Sequence, residues 1–154
     1  HRLRRRGRDG APLPLRSLLQ ELVDQWRRQP DPQPQFQLQV ELDEELPGEM
    51  TLAVYRLTQE ALTNVARHAD ARQVSIRLRR LLDGRLEWSV QDDGIGLAGT
   101  EGAPRQGNGL AGMRERVWGL HGELEIAAAR PGEARPGLLL VARWPLRETA
   151  RSVA

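Results

Sequence analysis

Four polar residues recur at helical spacing near the middle of the chain: Glu60, Asn64, Arg67 and His68. Their separations place all four within about a third of a helix circumference, at ~100° per residue. Val54, Ala61, Leu62 and Val65 adjoin that stripe, so it runs along the edge of a core rather than on the far solvent side. A solvated helix face accounts for Glu60 and Arg67 taken alone, and a single histidine such as His68 is ordinarily a surface residue. Asn64 asks for more, because an asparagine amide competes for backbone hydrogen bonds and disfavours a helix interior. A neutral amide oxygen suits a hard cation such as Mg²⁺. Glu60, one turn earlier, could take a proton from a nucleophile or orient one.

Two glycine groups follow. Asp92-Asp93-Gly94-Ile95-Gly96 comes directly after a strand pattern. A carboxylate at a strand end can accept a hydrogen bond from an exocyclic amine, and glycines just after it let the backbone pass close to a flat ring. Gly107-Asn108-Gly109-Leu110 precedes a helical pattern, and successive glycine amides before a helix can cradle phosphates. The small, polar stretch from Leu97 to Gln106 between them could close over a ligand. Each group alone is an ordinary turn or helix entry. Their order and spacing together describe a nucleotide pocket without a P-loop.

Composition requires an alternative of that kind. The 154 residues carry 23 basic side chains, all arginine, against 21 acids, for a formal charge of +2. Without lysine there is no P-loop lysine, no strand lysine of a eukaryotic-type kinase and no Schiff-base chemistry. Without cysteine there are no disulfides, thiol nucleophiles or thiolate metal sites. No apolar run approaches the ~20 residues that cross a bilayer, and no signal-peptide pattern opens the chain.

The elements that must position these groups are legible in outline. Leu15, Leu18, Leu19, Leu22, Val23 and Trp26 have helical spacing, and Pro30, Pro32 and Pro34 end that segment. Phe36, Leu38 and Val40 alternate with polar residues as in a half-buried strand, and Asp43 to Gly48 reads as an acidic turn. Met50 to His68 is the longest helical pattern. Val74-Ile76-Leu78 and Leu86-Trp88-Val90 flank Asp83-Gly84 and predict a β-hairpin. Leu110 to His121 reads as a helix, and strands around Leu124-Ile126 and Leu138-Trp144 complete the pattern. The expected fold is α+β: a two-layer sandwich, its mixed sheet mostly antiparallel, with helices on one face.

With these residues in view, the sequence resembles the ATP-binding catalytic domain of bacterial sensor histidine kinases, the Bergerat-type fold of the gyrase, chaperone, kinase and mismatch-repair ATPases. Its nearest likeness is to the nitrate-sensor-like and hexose-phosphate-sensor-like branch. The likeness rests on residues 55–69 (YRLTQEALTNVARHA), 92–97 (DDGIGL), 107–117 (GNGLAGMRERV) and 121–124 (HGEL). It implies that Asn64 ligates the Mg²⁺ on ATP and that Glu60 is the acid/base or water-ordering carboxylate. It implies that Arg67 meets phosphate and that His68 lines the nucleotide. Asp92 would hold the adenine amine, Gly94 and Gly96 would lie beneath the ring, and Gly107, Gly109 and Leu110 would border the phosphates. Gly137 matches a late glycine of the family, although Leu138 stands where a threonine usually follows.

The same resemblance implies transfer of the γ-phosphoryl group to a histidine on a separate dimerisation domain of a homodimeric kinase. From there it passes to a response regulator, with a LuxR-type DNA-binding domain in this branch. The motif of the acceptor helix is not found here. The expected organisation is a disordered basic segment 1–13, a catalytic domain 14–148 and a tail 149–154. The domain would be cytoplasmic, within a parent protein that can be inner-membrane anchored, and would touch neither nucleic acid nor membrane itself. The alternatives are an anti-sigma-type serine kinase, an ATPase clamp of the same superfamily, and a binding module using the arginine-rich first residues.

Overall fold

The computed structural model describes residues 14–30, 33–96 and 110–146. Helix α1 spans Leu15–Arg27, strand β1 Gln35–Glu41 and helix α2 Gly48–Asn64. Strands β2, Gln73–Arg80, and β3, Leu86–Asp92, form the predicted hairpin, with Gly84 at φ 93° in its turn. Helix α3, Leu110–Trp118, and strands β4, Glu123–Ala127, and β5, Leu138–Trp144, complete the domain. The third helix is shorter than its apolar pattern suggested. Backbone bonds from Gly119, Leu120, His121 and Gly122 close its end, and His121 takes φ 69°.

The sheet order is β1-β2-β3-β5-β4. Three of its pairings are antiparallel, while β1 and β2 run parallel, from Gln35 opposite Gln73 to Glu41 opposite Arg79. The reason is topological: a hairpin turn cannot join parallel strands, and here the long helix α2 supplies the crossover.

One face of the sheet is apolar. Phe36, Val74, Ile76, Leu78, Leu86, Trp88, Val90, Leu140, Ala142, Trp144 and Leu124 lie buried in one cluster. Leu19, Leu22 and Val23 of α1, Val54, Leu57, Ala61 and Leu62 of α2, and Met113 and Val117 of α3 join them. One buried polar contact fixes how α2 sits on the sheet. The Trp88 indole N–H donates to the Thr58 hydroxyl at 3.0 Å, and that hydroxyl donates to the Val54 carbonyl at 2.7 Å.

The opposite face carries a cross-strand ladder of charges. Glu87 accepts from Arg79 and from Arg143, each at 2.9 Å, and Arg143 reaches on to Glu125 at 3.3 Å. Arg77 pairs with Glu41. Burial pushes the Glu87 carboxyl up, but the hydrogen bonds and charges of Arg79 and Arg143 outweigh it and hold it below the ordinary range.

Two expectations follow. Thr58→Val leaves the buried Trp88 indole without its acceptor and should cost about 1–3 kcal/mol of unfolding free energy, read from urea denaturation. The depressed Glu87 carboxyl adds stability above the unfolded carboxylate value of ~4.3, and that share fades as pH falls through its lower folded value. Glu87→Gln should therefore be less stable than wild type at neutral pH, with the difference narrowing below about pH 4 in a thermal-unfolding series.

Candidate functional site

Strand pairing brings Asp92 and the end of the long helix to one end of the domain. Because β2 and β3 are antiparallel, the start of β2 lies beside the end of β3, with Val74 opposite Asp92. The chain reaches β2 from the end of the long helix, so that helix end arrives beside Asp92. Asp93 locks the junction: its Oδ1 accepts from the amides of Arg72 at 2.7 Å and Gln73 at 2.9 Å. From the β4–β5 connection, Arg135 places Nη1 3.6 Å from the Asp70 carboxylate and also donates to the Asp70 carbonyl.

Asp92 continues the alternation of Leu86, Trp88 and Val90, so its side chain faces the helical layer. It is 3% exposed. Oδ1 accepts from the Gly94 amide at 2.8 Å. Burial raises its affinity for a proton, and the amides of Gly94 and Leu138 offset that only in part. Asp93 ends on the opposite side of its ordinary value, since the Gln73 and Arg72 amides overcome its slight burial.

The loop after Asp92 packs on the β4–β5 connection. The Gly137 amide donates to the Gly94 carbonyl at 2.9 Å. Gly96 has φ 72°, and a Cβ there would lie 2.9 Å from the Gly137 carbonyl and 3.0 Å from Pro136. Gly137 has φ 69°, and its Cβ would overlap the Asp92 carbonyl. Bare backbone is required on both sides of this contact. Gly137 thus has a steric reason to be glycine whatever residue follows it.

The helix stripe differs from the straight one expected. The α-helical winding stops at Asn64, and Val65–Ala69 continue as one π-helical turn, closed by Asp70 in the left-handed region at φ 50°. The wider turn rotates Arg67 off the α-helical stripe. Asn64 is therefore at a junction rather than mid-helix; it is half-buried, whereas Arg67 is exposed. The Asn64 side chain makes no hydrogen bond to another described residue. Glu60 Oε2 lies 3.3 Å from Nη2 of Arg116, and its Oε1 is enclosed without a partner among the described residues. Leu110 is the first residue of α3 and packs against the core. Gly107, Gly109 and the side chain of His68 lie outside the described residues.

Arg116, Arg135 and the backbone clamp at Asp93 escaped the sequence reading. Arg116 follows buried Met113 by three residues and precedes buried Val117 by one, so its place on the flank of α3 was available from periodicity. Its partner was not.

Among the described residues no cluster of three or more His, Asp or Glu side chains could hold a metal ion by itself. No helix there is long and apolar enough to cross a membrane.

This arrangement is that of a known class. Residues 49–148 match the family of histidine kinase-, DNA gyrase B- and HSP90-like ATPases, and the chain belongs to it. It is 42% identical over 76 residues to the signal transduction histidine-protein kinase/phosphatase UhpB of Salmonella typhimurium, covering 49% of this chain and 15% of that protein. The histidine kinase domain of the Erythrobacter litoralis EL346 blue-light activated histidine kinase is 26% identical, with TM-score 0.64 over 88% of this chain and 66% of that one. The mycobacterial sensor histidine kinase MprB, 20% identical, shares the fold with TM-score 0.65 over 89% of this chain and 99% of that one. The chain spans 14–19% of the length of the first curated relatives it matches. It is an ATP-binding domain of the histidine-kinase type.

Asp92→Asn should stabilise the ligand-free domain at neutral pH, because an amide oxygen still accepts from Gly94 while the buried charge is removed. Ionised Asp92 opposes folding above its raised folded value, and that penalty fades as pH falls toward the ordinary ~3.9. The melting-temperature gain should shrink over the same interval, and a variant less stable than wild type at pH 7 would contradict the assignment.

Proposed function

We propose that this domain binds Mg²⁺-ATP between the end of α2 and the loop after Asp92, and donates the γ-phosphoryl group to a histidine of a separate dimerisation domain. The observation that supports this best is Asp92 itself. An ionisable carboxylate on the core side of a strand end, met by backbone amides, is costly for folding alone. It is well matched to a purine that brings an N–H donor. Adenine presents its exocyclic amine to that carboxylate, whereas guanine presents a carbonyl oxygen and is repelled.

Asn64 fits the metal role. Its amide has no hydrogen bond to another described residue, and a neutral oxygen ligand suits a cation held largely by phosphate oxygens with one or two protein ligands. When bound, Mg²⁺ would neutralise phosphate charge as the leaving group departs. Arg67, exposed within the π turn, would meet phosphate, and His68 would line the nucleotide. Gly94 and Gly96 let the ring approach the backbone, and Gly107, Gly109 and Leu110 border the phosphates.

The transfer is an in-line displacement. The acceptor imidazole nitrogen bonds to the γ-phosphorus as the bond to the β–γ bridging oxygen breaks. ADP leaves, and Glu60 takes the imidazole proton. The phosphoryl group then passes to an aspartate of a response regulator. The branch likeness, with relatives named UhpB and a NarQ homolog of Haemophilus influenzae, favours a regulator with a LuxR-type DNA-binding domain. The full-length kinase would act as a homodimer.

Calorimetry with ATP and GTP, with and without Mg²⁺, tests the reading. Wild type should prefer ATP, and Asp92→Asn should lose most of that preference because an amide can present either a donor or an acceptor. Asn64→Ala should weaken Mg²⁺-ATP binding more than Mg²⁺-free binding. Equal affinity of wild type for ATP and GTP, or equal losses for Asn64→Ala in both conditions, would overturn the corresponding assignment.

A further inference from the structure

We propose that Arg116 is a positioning residue for phosphoryl transfer, holding one oxygen of Glu60 so that the other is left for the acceptor's proton. The inference rests on the reading of Glu60 as the acid/base carboxylate. Arg116 stands on α3, between Met113 and Val117, both fully buried. That face of α3 is seated in the core, and Arg116 at its flank reaches across to α2. Nη2 lies 3.3 Å from Oε2 of Glu60, while Oε1 of Glu60 and Nε of Arg116 are both enclosed with no partner among the described residues.

As a stabilising device this contact is poor. It is single, long, and made by side chains about a third exposed, 34% and 36%. Ion pairs of that exposure contribute little, and each enclosed polar atom left unpaired counts against the fold. The pair contrasts with Glu87, where both carboxylate oxygens are matched by arginines. At Glu60 one oxygen is fixed and one is spare. A carboxylate tethered at Oε2 has that oxygen committed, and Oε1 becomes the site for a donor that arrives with the reaction. The tether starts on α3, so the orientation of Glu60 is tied to the seating of that helix in the core. Lysine would supply charge, but as a point charge on a flexible stem rather than an N–H held in the guanidinium plane.

A double-mutant cycle decides it, with γ-labelled ATP as donor and the dimerisation domain of the kinase that carries this chain supplied in trans. Arg116→Gln should lower kcat for transfer on the order of ten-fold, with KM for ATP nearly unchanged. Arg116→Lys should recover only part of the loss. In a Glu60→Gln background, Arg116→Gln should cause no further loss, because its effect runs through Glu60. A multiplicative loss in that background, or a rise in KM for ATP matching the fall in kcat, overturns the positioning role while leaving Glu60 in place. Wild-type transfer by Glu60→Gln alone overturns the acid/base reading, and this inference with it. Should Arg116→Gln fail to fold, the cycle run with Arg116→Lys tests the same coupling through the same non-additivity.

Discussion

The hydrogen bond from the Trp88 indole to the Thr58 hydroxyl sets the height of the long helix on the central strand, and the geometry of the site is measured from it. Both groups are fully buried, so neither can exchange its partner for water. From Thr58, Asn64 lies six residues on, about 9 Å along a helix. From Trp88, Asp92 lies four residues on, about 13 Å along a strand. Both run toward the end of the sheet where β2 begins. A slip of one residue in β3 would turn Asp92 to the charged face and remove it from the helices altogether. The buried pair makes such a slip expensive, since it would also expose Trp88.

Two acids are buried among the described residues and receive opposite treatment. Glu87, on the open face, is clasped by Arg79 and Arg143, and its proton affinity falls. Asp92, on the helical face, has backbone amides for company, and its proton affinity rises. The first is a finished cross-link in the sheet, with each oxygen answered by a full charge. The second is left short of donors. The contrast separates a carboxylate that holds strands together from one whose burial the protein answers only in part, which is what the proposed adenine contact draws on.

Much of this could be read from residue pattern. Strict alternation through Leu86, Trp88 and Val90 already carries Asp92 to the core side, and the three-proline run after α1 marks its end. The α+β class followed from the same periods. Other features carry no local signal. Phe36, Leu38 and Val40 declare a strand without declaring its neighbour, and β1 pairs in parallel with β2 only because α2 carries the chain back across. The π turn at Val65–Ala69 contains neither glycine nor proline to announce it. Arg116 and Arg135 are two among many arginines, and what distinguishes them is the residue each meets, Glu60 and Asp70, 56 and 65 positions away.

The two ends of the Gly-rich connection between β3 and α3 each have an anchor among the described residues. Gly96 is pinned by the contact of its loop with Pro136 and Gly137, and Leu110 starts a helix seated by Met113 and Val117. Closing a loop costs entropy that grows only with the logarithm of its length, about 0.6 kcal/mol per doubling. On that count a change in the length of the connection costs little in loop closure, and the strand pairings of the sheet, none of which lies within it, set no length for it.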